Sequence, residues 1–123
     1  AAKAWSVWEG STVKLIQNKA LMEHSSDAKF AEAFSRIECH YFTNNGWFNT
    51  DNYLIENIDK IRHIPAVIVH GRYDVVCPVE NAWELHKAWP ESELHIIPDS
   101  GHAMSEEGIK NKLIEYTDKF LKL

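Results

Sequence analysis

An aspartate and a histidine, Asp74 in HGRYDVVCP and His102 in DSGHAMSEE, each stand just past a short apolar run. In parallel α/β sheets, functional groups collect beyond the carboxyl ends of the strands, because every such loop opens on the same side. An aspartate placed there can orient an imidazole and stabilise its charged form while the ring relays a nucleophile's proton. The same residues also allow a plainer reading, in which Asp74 caps the following helix and Gly101-His102 is an ordinary turn. Spacing alone leaves both open.

The elements that would position these two residues change character near Pro65. After it, Ala66–Val69 is short, β-branched and continuously apolar, as in a strand buried on both faces. Pro78 suits the first turn of a helix running to about Trp89, since its missing N–H costs nothing there, and Pro90 ends that helix. Glu93–Ile97 reads as a second strand. Ile109–Leu121 reads as a final helix with Leu113, Ile114, Tyr116, Thr117, Phe120 and Leu121 as its buried side. Strand–helix–strand–helix at this spacing predicts a parallel βα repeat.

Before Pro65 the chain predicts helix and loop. Trp5, Trp8, Val13, Leu15 and Ile16 recur at helical spacing over residues 4 to about 16. Asp27 is the expected N-cap of a helix through Phe30, Ala33, Phe34, Ile37, Tyr41 and Phe42, which Asn44-Asn45-Gly46 stops. A shorter helical piece is expected from about Asp51 to Asn57. The domain division expected from this is a helical portion over 1–63 and βα units over 64–123.

Composition narrows the function classes. The 123 residues are 45% hydrophobic and 25% charged, an ordinary globular balance. A formal charge of −5 argues against nucleic acid or an anionic membrane as a partner. No apolar run approaches the roughly 20 residues needed to span a bilayer. The first residues, AAKAWSVWEG, lack a signal-peptide layout and open on helix-like sequence without Met, so a piece of a longer protein is expected. Cys39 and Cys77 show no C-x-x-C spacing and predict reduced thiols in a cytoplasmic protein. The seven histidines never form H-x-x-x-H or H-E-x-x-H, so neither a metal nor another cofactor is expected.

Two carboxylates need explaining. On a helix, positions i±4 fall on one line, so Glu9 shares a stripe with Trp5 and Val13, and Glu38 shares one with Phe34 and Phe42. A carboxylate on an apolar face loses hydration and requires a cation or strong donors. Either glutamate could reach the edge of its stripe or pair with a neighbouring base, for which Arg36 is available.

The segments IPAVIVHGRYDVVCPVENAWELHKAWP and IIPDSGHAMSE, with WSVWEG and FSRIECHYF upstream, resemble the proline iminopeptidases of the α/β-hydrolase superfamily. The resemblance covers nearly the whole chain. It implies an α/β fold made of the C-terminal part of an α/β-hydrolase, the last two parallel βα units, preceded by helices of the cap domain. It further implies that Asp74 is the triad acid and His102 the general base. Cys77, three residues after Asp74, should lie near them, with a small buried thiol as its commoner reading. Glu9 and Glu38 would hold the free α-amino group of a peptide substrate beginning with proline, and aromatic walls would suit its ring. The third triad member is missing from the pattern. In this fold it is a serine in a G-x-S-x-G-type elbow, and no pair among Gly10, Gly46, Gly71, Gly101 and Gly108 brackets one. Ser100 and Ser105 flank His102 but sit on no strand-to-helix elbow. The expectation is therefore the C-terminal portion of a serine exopeptidase, inactive alone and self-associating through uncovered apolar surface. Two alternatives stand beside it: another cap-bearing hydrolase, such as an esterase or epoxide hydrolase, and a non-catalytic binding or assembly module.

Overall fold

The apolar run before HGRYD forms strand β1 (Val67–Gly71), and ELHII forms strand β2 (Glu93–Ile97). The two pair in parallel, with Val67 opposite Glu93 and Gly71 opposite Ile97. A parallel pair needs a crossover, and the helix between them is Val79–Ala88. Pro78 stands at its N-cap, one position earlier than a first-turn proline, and the helix stops just before Trp89 and Pro90. The last helix spans Glu107–Phe120. The computed structural model describes residues 1–122.

These elements belong to one of two compact units, made of Val13–Leu15 and the chain from Leu54 onward. Its core gathers Ile58, Ala82, Trp89, Ile97, Ile109 and Tyr116. The expected buried side of the last helix needs correction. Ile109 and Tyr116 are buried and Leu113 is half-buried, but Ile114, Thr117, Phe120 and Leu121 are exposed. At 3.6 residues per turn, Ile114 and Leu121 lie roughly 100° or more round the helix from the Ile109–Tyr116 line. They cannot reach the sheet that Ile109 and Tyr116 cover.

The other unit comprises Ala1–Thr12 and Ile16–Tyr53. Its helices are α1 (Ala2–Thr12), α2 (Lys19–Ser25) and α3 (Ala28–Thr43). With the short α4 (Tyr53–Glu56), the crossover and final helices become α5 and α6. Asp27 caps α3 as expected, its carboxylate accepting the Phe30 N–H at 2.8 Å. Small residues let the three helices close up: Ser6, Ser25, Ala31 and Ser35 are the buried ones, and a Cβ on Gly10 would collide with Ser25 Oγ. The chain leaves α3 through Asn45, Gly46 and Trp47, all at positive φ.

Two helical expectations end differently. The first helix stops at Thr12 rather than near Ile16. Ser11 and Thr12 hydroxyls donate to the carbonyls of Trp8 and Glu9, which closes the last turn, and the Val13 carbonyl accepts from His102 and Ala103 instead. Helix α2 was not expected at all. Its N-cap Asn18 accepts the Leu21 N–H at 3.0 Å.

Candidate active site

The two loops that follow β1 and β2 are sewn together by their backbones. Arg72 N–H donates to Ile97 C=O at 2.9 Å and Tyr73 N–H to Ser100 C=O at 3.0 Å. A Cβ on Gly71 would run into the carbonyl oxygens of Gly101 and Ser100. Only a residue without a side chain lets the loops approach this closely.

Asp74 lies at this seam with its side chain only 3% exposed. Its two oxygens do different work. Oδ1 accepts the N–H groups of Val76 at 3.0 Å and Cys77 at 2.8 Å, which fixes the carboxylate plane. Oδ2 faces Nδ1 of His102 at 2.9 Å. Asp74 does not cap α5, which begins at Val79 and has no side-chain cap bond at Pro78.

A carboxylate only accepts when ionised, so Nδ1 of His102 carries the proton in this contact and Nε2 is left with a lone pair. The imidazole side chain is 37% exposed, and no described residue hydrogen-bonds Nε2. A ring held at Nδ1 by a buried carboxylate and open at Nε2 can take a proton from a hydroxyl and return it to a leaving group.

The loop carrying His102 is anchored from the other side. His102 and Ala103 both donate their N–H to the Val13 carbonyl, at 3.0 and 2.7 Å. Glu106, at the start of α6, accepts Gly101 N–H at 2.8 Å through Oε1 and Leu15 N–H at 3.1 Å through Oε2. Sequence reading missed Glu106. Its only signal was an acidic residue at a helix N-terminus, which the helix dipole alone would explain. It also missed His70, whose Nε2 lies 2.8 Å from the Cys77 carbonyl and 3.3 Å from Asp74 Oδ2. Cys77 is close to Asp74, as expected, but exposed rather than buried.

Glu9 and Glu38 stand in the other unit, on α1 and α3, both half-buried. Glu38 Oε2 accepts the indole N–H of Trp5 at 2.6 Å. Arg36, the base that sequence offered as a partner, instead lies 3.8 Å from Glu32. A neutral donor holds the Glu38 carboxylate in place without cancelling its charge. Trp5 and Trp8 pack with ring centroids 5.3 Å apart and line an apolar groove with Ala1, Ala2, Ala4, Ser35, Arg36 and Cys39. Neither glutamate lines that groove.

Among the described residues no cluster of His, Cys, Asp or Glu could hold a metal ion, and no helix is long and apolar enough to cross a membrane.

A family model described as "alpha/beta hydrolase fold" matches residues 7–109. The chain is 60% identical over 121 residues to a Leptolyngbya boryana protein named "Probable proline iminopeptidase", covering 98% of this chain and 38% of that protein. It is 51% identical over 119 residues to an Arabidopsis thaliana "Proline iminopeptidase", covering 97% of this chain and 31% of that protein. A Neisseria gonorrhoeae "Proline iminopeptidase" matches at 40% over 121 residues, 98% of this chain and 37% of that protein. The chain thus spans well under half the length of these relatives, and the part it matches is their C-terminal part. With parallel strands β1 and β2 ending in an aspartate loop and a histidine loop, the chain belongs to the α/β-hydrolase family.

Proposed function

We propose that this chain supplies the acid, the base and the amine anchor of a serine exopeptidase that releases proline from peptide N-termini. Asp74 is the triad acid and His102 the general base. A serine contributed by sequence outside these residues would attack the prolyl carbonyl while His102 Nε2 takes its proton. The protonated ring then gives that proton to the departing amine, and water repeats the cycle on the acyl-enzyme. Glu9 and Glu38 bind the substrate ammonium. Residues 1–63 belong to the cap domain and 64–123 to the hydrolase core, and the enzyme works in the cytoplasm.

The observation that carries this reading is the 2.9 Å Asp74–His102 contact, with the other carboxylate oxygen tied to two backbone N–H groups. The names of the relatives support the substrate class.

A chimera tests it. This chain replaces the matching segment of the Leptolyngbya boryana relative, which supplies the remaining sequence. Hydrolysis of a proline anilide, abolished by His102→Ala, is the expected result, and the chain alone should be inert. A folded chimera that leaves the anilide untouched, or that cleaves simple esters while ignoring a free amine, would overturn the peptidase reading in favour of another hydrolase.

The isolated chain is also proposed to self-associate. Strand β1 pairs with β2 along one edge only, and Tyr73, Val75 and Met104 are exposed on the two loops. Sedimentation over a concentration series decides it, and a monomer at high micromolar concentration would reject it.

A further inference from the structure

We infer that His70, the first residue of HGRYD, is a positioning residue that holds Asp74 for His102. The inference rests on the assignment of Asp74 and His102 as acid and base. Strand β1 delivers the His70 ring to a place where two oxygens converge. Nε2 lies 2.8 Å from the Cys77 carbonyl and 3.3 Å from Asp74 Oδ2. The carbonyl can only accept, and the ionised carboxylate can only accept. A lone pair on Nε2 would therefore face two others, so Nε2 carries the proton, donating it to the Cys77 carbonyl and turning its positive edge toward Asp74 Oδ2.

The turn from Asp74 to Cys77 is closed from two directions by this arrangement. Asp74 Oδ1 reaches forward to the N–H groups of Val76 and Cys77, and His70 reaches across to the Cys77 carbonyl and the Asp74 carboxylate. With the His70 side chain 17% exposed, solvent competes weakly for these contacts. Two imidazoles then share one carboxylate oxygen. His102 donates from Nδ1 at 2.9 Å and keeps Nε2 open, whereas His70 spends Nε2 on the loop. Only His102 is placed to move a substrate proton; His70 acts through Asp74. Its backbone already lies in register with Ile96, so its side chain adds what the strand pairing does not.

Substitution of His70 in the Leptolyngbya boryana chimera tests this. His70→Leu keeps the bulk and removes the donor; His70→Gln keeps an N–H of similar reach. The leucine variant should lose kcat on the order of tenfold to a hundredfold with KM within about twofold, because a misaimed base slows chemistry without touching the amine anchor. The glutamine variant should recover most of the loss, with both melting at similar temperatures. Unchanged kcat in His70→Leu, or a glutamine variant no better than leucine, would overturn the inference.

A second measurement does not need turnover. Nitrogen-15 NMR of the full chain should show His70 protonated at Nε2 at neutral pH. It should also show a downfield His102 Nδ1–H resonance that weakens or shifts in His70→Leu. A bare Nε2 on His70, or an unmoved His102 resonance, rejects the inference even if catalysis fails for other reasons. A wild-type chimera without activity, alongside the expected spectra, instead rejects the peptidase assignment alone.

Discussion

The aspartate–histidine seam and the glutamate-bearing helices solve the problem of a charge drawn out of water in opposite ways, Asp74 being buried and Glu9 and Glu38 half-buried. At the seam, three donors converge on one carboxylate, two backbone N–H groups and the His102 imidazole, with the His70 ring 3.3 Å away. Between α1 and α3, Glu38 accepts from the Trp5 indole, while Trp8, Ile37, Tyr41 and Phe42 on the same two helices stay exposed. The seam is finished within its own unit. The helical face carries charge and exposed apolar side chains beside the groove that Trp5 and Trp8 line. Under the proposed function this difference has a reason: proton transfer depends on fixed geometry, whereas binding an ammonium depends on a carboxylate whose charge no cation cancels beforehand.

The sharpest way to break that contrast is to change the seam's charge without changing its shape. In the chimera, Asp74→Asn should lower kcat by about 10⁴-fold, because an amide can donate to Nδ1 and leave the proton on Nε2, the wrong tautomer for a base. Turnover of a proline anilide reads this directly. A loss below about tenfold would mean that the buried contact is structural.

The glutamates should behave differently. Glu38→Gln keeps an acceptor for the Trp5 indole and removes only the charge. Losing a charge-assisted contact to a desolvated ammonium should cost about 2–4 kcal/mol in kcat/KM on proline substrates. Esters without an amine should be nearly unaffected. Equal losses on both classes would put Glu38 among the structural residues and erase the contrast with the seam.

How much of this was readable from the sequence follows the range of the forces involved. The Asp27 cap and the bounds of β2 depend on neighbours in the chain, and both stood where local rules put them. For Asp74 and His102, parallel strands place both loops at one edge, but spacing leaves a helix cap and an ordinary turn equally open; the family resemblance points to the pairing, and the structure puts the two side chains 2.9 Å apart. Asn18 offers the same cap signal as Asp27, and it starts helix α2. The end of α1 could not be read, because the Val13 carbonyl is claimed by His102 and Ala103, some ninety residues away in the chain. His70 and Glu106 were hidden for a related reason. Each matters through an atom that folding brings to it, and neither residue type at that spacing announces its partner. On α6 and its C-cap, Ile114 and Leu121 are apolar yet exposed, because the sheet in this chain covers only the Ile109–Tyr116 line.

The closeness of the two loops can be tested by filling the space between them. Gly71→Ala places a methyl against the carbonyl oxygens of Gly101 and Ser100, which are backbone and cannot rotate away. Overpacking of this kind typically costs about 1–3 kcal/mol. The Asp74–His102 contact should loosen with it, since both loops must part. Gly46→Ala, in the turn after α3 at φ 59°, should strain the other unit while leaving the seam's NMR signature intact. Denaturant unfolding of the two variants measures the difference, and a Gly71→Ala protein as stable as the parent would mean that the seam is slack.

The smallest effect expected is electrostatic, away from the seam but in the same unit. Glu93 Oε1 accepts from Lys119 Nζ at 2.8 Å, and Oε2 accepts from the Tyr116 hydroxyl at 2.6 Å. The Lys119 bond first, and the Tyr116 bond second, hold the Glu93 carboxyl below its ordinary value near 4.5. Its hydrogen bond to Glu93, with burial second, pushes the Tyr116 phenol up from 10.0 to about 12. The two shifts act on opposite sides of neutrality. A lowered carboxyl contributes stability that is present above its unfolded value and is lost as pH falls through the folded one. A raised phenol contributes stability that is complete below its unfolded value and disappears as pH climbs through the folded one, here between 10.0 and about 12. The cluster should therefore stabilise the unit across the neutral range and fail at both ends. Glu93→Gln removes the charge but keeps an acceptor, so the Tyr116 phenol should titrate closer to 10.0 and the alkaline loss of stability should begin earlier. Ultraviolet phenolate titration of parent and variant isolates the one tyrosine that moves. If none of the four tyrosines shifts, Glu93 does not control Tyr116, and the alkaline limit of this unit is set elsewhere.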